Sequence, residues 1–150
     1  MVDRAARETR IPGRMDIVAD DPLTIYDGAH NPSGARALAE SLPEVLGERR
    51  PRVAVVSVLE DKDAAGMLRE LAPLFDRFVF TRCANPRALS PGTLETLAEK
   101  LSGPPSETVA EPHAAVEHAR AQAGAVVATG SIYLVADLVR ETGNARASIL

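Results

Sequence analysis

Apolar residues in this chain gather in short continuous runs separated by longer, mixed segments. Runs at 15–19, 23–26, 53–58, 78–81 and 125–129, and a weaker one at 108–110, predict strands. A run without alternation suits a strand buried on both faces of a largely parallel sheet, because a half-exposed strand alternates apolar and polar residues. Helices are predicted between the runs, over 32–46, 64–74, 91–101, 112–123 and 132–141. Strand and helix therefore alternate, and a βαβ series follows. Asp20-Asp21-Pro22 is too short to hold a crossover helix, so the first two strands form an antiparallel hairpin at one edge. The expected fold is α/β, a Rossmann-like three-layer domain. It has a mostly parallel sheet of about six strands, the edge hairpin, and helices on both faces.

Local signals sharpen some boundaries. Asn31-Pro32, Ser90-Pro91 and Glu111-Pro112 each put a capping or acidic residue before a proline at the first helical position. Gly47 and Gly124 are expected to close their helices in the left-handed conformation. Gly103-Pro104-Pro105-Ser106 reads as a loop before a peripheral strand, and residues 1–10 read as a linker or tail ahead of a domain at 11–150. No internal repeat or low-complexity tract interrupts the pattern.

Composition adds bounds. A chain of 150 residues with 45% hydrophobic content suffices for one domain, burying roughly 70% of its unfolded surface. Aromatics are 3% and tryptophan is absent, so the core is built from Ala, Val and Leu around Phe75, Phe78 and Phe80. A net charge of −4 offers no basic face for a phosphate backbone, which argues against nucleic acid as a partner. Cys83 is the single cysteine, so neither an intrachain disulfide nor a CxxC metal site can form, and a reducing, cytoplasmic compartment fits. The arginine-rich start lacks the apolar core of a secretory signal, and no run approaches a membrane span.

Candidate chemistry concentrates in Tyr26-Asp27-Gly28-Ala29-His30-Asn31-Pro32, where an acid and an imidazole sit between a strand end and a helix start. Ligands of open α/β sheets collect beyond the carboxyl ends of the strands, near such helix N-termini. Asp27 there reads equally as a turn cap or as a ligand-binding carboxylate. Ser131, in Thr129-Gly130-Ser131, reads as an N-cap that also offers an anion-binding terminus. Asp61-Lys62-Asp63, Asn85, Arg87 and Ser90 fall at the same sheet edge, with a loop salt bridge the simpler reading of Arg87 and a helix cap that of Asp63. Cys83 is expected as a partly buried small residue, and His113 and His118 as surface residues without metal-ligand spacing. No GxxxxGK[ST] loop and no metal-ligating cluster is present, so no catalytic and no metal-binding residues are assigned.

Ile11-Pro12-Gly13-Arg14-Met15, followed thirteen residues after its arginine by the aspartate of Asp27-Gly28-Ala29-His30-Asn31-Pro32, resembles the start of the C-terminal domain of the folylpolyglutamate synthase/dihydrofolate synthases of the Mur ligase superfamily. Asp61-Lys62-Asp63, Asn85-Pro86-Arg87-Ala88 and Thr129-Gly130-Ser131 agree in order, and the resemblance spans essentially the whole chain. It implies a ligase that activates a dihydropteroate or folate carboxylate as an acyl phosphate with ATP and Mg2+, then joins it to L-glutamate. Arg14 and Asp27 are then expected at ATP, and His30 and Ser131 at glutamate. The P-loop, the metal and the folate site would belong to an N-terminal ATPase domain, the expected partner, so this chain alone is expected to be inactive, and the full enzyme monomeric. Two alternatives stay open: the matching domain of a peptidoglycan Mur ligase, and a stand-alone, non-catalytic ligand-binding module.

Overall fold

A computed structural model describes residues 14–149, with side chains through residue 140. The proposed tail at 1–10 and the residues Ile11, Pro12 and Gly13 lie outside the described residues. Six strands, β1 (Asp16–Asp20), β2 (Leu23–Tyr26), β3 (Arg52–Val56), β4 (Arg77–Phe80), β5 (Ser106–Thr108) and β6 (Ala125–Thr129), form one sheet in the order β1-β2-β6-β3-β4-β5. β1 and β2 pair antiparallel at the edge, and every other neighbouring pair is parallel. The expected α/β architecture is the one observed.

Among the described residues five α-helices cover the sheet: α1 (Pro32–Leu46), α2 (Ala64–Leu71), α3 (Pro91–Lys100), α4 (Pro112–Arg120) and α5 (Ile132–Ile149). α1, α2 and α3 bury Leu42, Met67, Leu68 and Leu94 on one face, against Ile25, Phe78 and Phe80. α4 and α5 bury Ala115, Ala119, Leu134 and Leu138 on the other, against Val53, Val55 and Val126. Each fully buried Leu or Phe contributes roughly 1.5–3 kcal/mol, so both faces hold the sheet. β6, between β2 and β3, is buried at all five residues, which is why its sequence runs apolar without alternation.

The proline-led helix starts behave as expected. Asn31 accepts from the Gly34 N–H, Ser90 from that of Thr93, and Glu111 from those of His113 and Ala114. The differences have local causes. α2 stops at Leu71 and passes into a 3₁₀ turn, Ala72–Leu74, because Pro73 has no N–H to continue the helix. α4 ends at Arg120, three residues before the predicted end, and α5 continues to Ile149, past 141. β5 begins two residues earlier than predicted, since the β4 partnership starts where the Phe78 N–H reaches the Pro105 carbonyl; it persists as Val109 donates to Phe80.

Gly47 closes α1 at the expected positive φ of 60°, but with ψ −131° it lies outside the left-handed helical conformation. Gly124 does not adopt that conformation. Its missing side chain serves close approach, because a Cβ there would lie 2.5 Å from the Arg50 carbonyl oxygen.

Candidate functional site

The chain divides at β6. β2 and β3 feed α1 and α2 on one face, whereas β6, lying between them, feeds α5 on the other. Diverging connections open a crevice at the carboxyl ends of these strands, the usual ligand position in such sheets.

Asp27 forms one wall. Its N–H extends the β2–β6 ladder to the Ala128 carbonyl at 2.9 Å, and its side chain turns back into the structure, 8% exposed. Oδ1 accepts from the Met15 N–H and Oδ2 from the Ala29 N–H, each at 2.9 Å. Burial pushes the carboxyl above its ordinary range, while those two N–H donors, and then the Arg14 guanidinium, pull it back. Cap and binding group are therefore compatible, because an ionised carboxylate has about four lone-pair sites and two are engaged here. The structure brings Arg14 and Asp27 together: Arg14 is exposed, and its chain neighbour Met15 is bonded directly to the carboxylate.

His30 is exposed on the turn into α1. Its Nδ1 lies 3.0 Å from the Gly28 carbonyl oxygen; since that oxygen only accepts, Nδ1 carries the proton and a neutral ring presents Nε2 as an acceptor. Ser131 sits on the next strand's exit, 1% exposed, with Oγ accepting from the Tyr133 N–H at 2.9 Å. It is thus the N-cap of α5. Among the described residues no hydrogen bond joins His30 to Ser131; what they share is the crevice between β2 and β6.

Gly130 shapes the floor. It has φ 111°, and a Cβ there would stand 2.4 Å from the Ser57 carbonyl oxygen, so the β6 exit can pass the end of β3 only with glycine. Ser57 itself is fully buried, with Oγ accepting from the Cys83 N–H at 3.0 Å. Thr129, which ends β6, has a buried Oγ1 without a partner among the described residues, a role its sequence position alone does not assign. The signal was a hydroxyl residue ending an otherwise aliphatic strand.

The remaining candidates take structural roles. Arg87 pairs with Asp61, and this ion pair holds the Asp61 carboxyl below the usual carboxylate range. Asp63 caps α2, and Cys83 is buried at 3% exposure. His118 is exposed and bonds Glu107, as a surface residue, whereas His113 is half-buried with Nε2 near the Leu138 carbonyl at 3.2 Å. Among the described residues no group of three or more His, Cys, Asp or Glu is placed to hold a metal ion, and no helix is long and apolar enough to cross a membrane.

Residues 13–132 match the model of the Mur ligase, glutamate ligase domain. The chain is 42% identical over 100 residues to the dihydrofolate synthase/folylpolyglutamate synthase of Mycobacterium tuberculosis, covering 67% of this chain and 20% of that protein. It is 36% identical over 140 residues to the Escherichia coli protein of the same name, covering 92% and 32%. Among solved structures, a Mycobacterium tuberculosis folylpolyglutamate synthase complexed with ADP and AMPPCP superposes with a TM-score of 0.78 at 33% identity, over 89% of this chain and 32% of that one. A Yersinia pestis bifunctional folylpolyglutamate synthase/dihydrofolate synthase complexed with AMPPNP and Mn ion gives 0.77 at 33% identity, with the same coverage of 89% and 32%. The chain thus spans a third or less of the length of these relatives.

Proposed function

This chain belongs to the Mur ligase, glutamate ligase domain family, and on that premise we propose that residues 11–150 are the C-terminal domain of an ATP-dependent ligase joining L-glutamate to dihydropteroate or folate. Residues 1–10 are the linker to an N-terminal ATPase domain. The observation that carries this reading is the crevice at β6, where a buried carboxylate with free lone pairs stands beside an exposed guanidinium.

Asp27 suits a ribose: its position is fixed by two backbone N–H groups, and its open lone pairs can accept from vicinal hydroxyls. Arg14 suits the phosphates, because its planar fork donates to two oxygens at once. Across the crevice His30 offers Nε2 to the ammonium or amine of glutamate, and the N-terminus of α5 at Ser131 offers its dipole to a carboxylate. Bound MgATP supplies the phosphoryl group that activates the folate carboxylate as an acyl phosphate, from which the glutamate amine displaces phosphate to form the amide. The Mg2+ ligands belong to the ATPase domain and the nucleotide. Closing this domain over that one keeps water from the acyl phosphate and holds the amine near the carbonyl. Such an enzyme works in the cytoplasm as a monomer.

The test is glutamate-dependent ATP hydrolysis by the full polypeptide that carries this chain. Turnover with dihydropteroate or a reduced folate, lowered by R14A and by H30A, is the expected result. Turnover with a UDP-linked peptidoglycan precursor in place of folates would assign the domain to another Mur ligase. A native polypeptide no heavier than 15.9 kDa on an immunoblot would overturn the two-domain reading.

A further inference from the structure

The sheet has a second point of divergence, which the candidate site leaves unused. β4 feeds α3 on one face and β5 feeds α4 on the other, so the connections separate between these two strands as they do at β6. A cavity of about 430 Å3 opens there, walled by the segment after β4, by the entry to α4, and by one side of α5. That volume is within the range of small-ligand sites.

Its charges are unequally satisfied. Asp137 of α5 is 6% exposed, with one oxygen accepting from the Ala84 N–H at 2.6 Å and the other paired with Arg140. Glu111 is engaged by its own helix, accepting from the His113 N–H at 2.9 Å and the Ala114 N–H at 2.8 Å. Both carboxylates at the cavity are therefore held by donors. Arg82, opposite them, is exposed, and its guanidinium has no partner among the described residues. Arg140 keeps most of its fork open, its side chain being 58% exposed beyond the pair with Asp137. Asp137 and Glu111 keep further lone pairs, but their charges are offset by Arg140 and by the N–H groups of α4; the charge at the cavity without such a partner among the described residues is the Arg82 guanidinium, above an apolar wall of Ala84, Ala110 and Pro112.

We propose that this cavity binds a small metabolite carrying a carboxylate or phosphate group, held by Arg82 from the β4 side and by Arg140 from α5. Two planar guanidiniums on facing walls suit an oxyanion, each able to give two parallel hydrogen bonds. Asp137 acts as the positioning residue: bonded to both Ala84 and Arg140, it fixes the two walls relative to each other. The site is separated from the β6 crevice by β3, and it stands whether or not the glutamate ligase reading holds.

Calorimetric titration of the full polypeptide at low salt, with inorganic phosphate and separately with succinate, tests it. Saturable binding of at least one is expected, weakened about tenfold, or 1.4 kcal/mol, in R82A and partly restored in R82K. R36A, which removes an exposed arginine of α1 outside this cavity, leaves it unchanged. Phosphate binding identifies a phosphoryl ligand and succinate binding a carboxylate. Failure of both anions to bind, binding unchanged in R82A, or binding equally weakened in R36A would overturn the proposal. Because the Arg82 side chain is exposed and has no partner among the described residues, R82A tests the anion without disturbing the fold.

Discussion

Gly130 shows how much a single residue decides at the crevice. Its φ of 111° and the 2.4 Å that would separate an added Cβ from the Ser57 oxygen oppose any side chain, and the obstacle is backbone. G130A is expected to destabilise by more than about 2 kcal/mol, through strain and overlap together. Gly92 is the control: it lies in α3, and an added Cβ there meets nothing within 4 Å. G92A is expected to stabilise by about 0.5–1 kcal/mol through helix propensity and a less flexible unfolded chain. Urea unfolding of both variants checks the pair, and equal effects would contradict the contact at Ser57. The capping role of Asp27 was legible in sequence, since an acid opening a turn commonly accepts from the N–H two residues on, as it does from Ala29. The reason for Gly130 was not legible, because the obstructing carbonyl comes from another strand. Nor was Asp137, whose burial depends on Ala84 reaching it from the loop after β4.

At the scale of elements, what was readable was what local chemistry controls. Asn31, Ser90 and Glu111 fix helix starts through bonds to the next turn, so these starts agree with the structure to the residue. The ends of α2, α4 and α5 drifted, whereas that of α1, at Leu46, agrees. The C-terminus of α1 is completed by Arg52, a buried cation from β3 that donates to the Gly47 carbonyl at 2.6 Å and the Arg49 carbonyl at 3.2 Å. The start of β3 is in turn tied to the turn before β4, where the Arg52 N–H reaches Asp76 Oδ2 at 2.8 Å. That bond, ahead of the ion pair with Arg50, holds the Asp76 carboxyl below its ordinary range. A depressed carboxyl contributes stability that is fully present above the unfolded pKa of about 3.9 and is lost as pH falls through the folded value. D76A should therefore cost about 1 kcal/mol at pH 7, mostly from the orphaned N–H, since the half-exposed pair with Arg50 adds little. The gap between wild type and D76A should narrow below about pH 4; a gap that widened on acidification would reverse the sign argued here.

At the scale of the whole molecule, the proposed nucleotide site has one wall among the described residues. The groups assigned to ATP are Arg14 and Asp27, a guanidinium and a carboxylate at one side of an open crevice. Charge-assisted hydrogen bonds contribute roughly 1.5–3 kcal/mol each, whereas association costs an estimated 4–15 kcal/mol in lost freedom before any contact counts. Two or three such bonds scarcely cover that cost. MgATP should therefore bind this 150-residue chain no tighter than about 1 mM, which corresponds to −4.1 kcal/mol, and bind the full polypeptide far more tightly, because the second wall supplies the remaining contacts. Calorimetry on both proteins decides it. Equal and submicromolar affinities would mean that the crevice at β6 is a complete nucleotide site, and that closure over an ATPase domain is not what Arg14 and Asp27 serve. A weak chain and a tight full polypeptide, with the difference reduced by R14A, would place the binding energy at the junction of the two domains, where an acyl phosphate needs shielding from water.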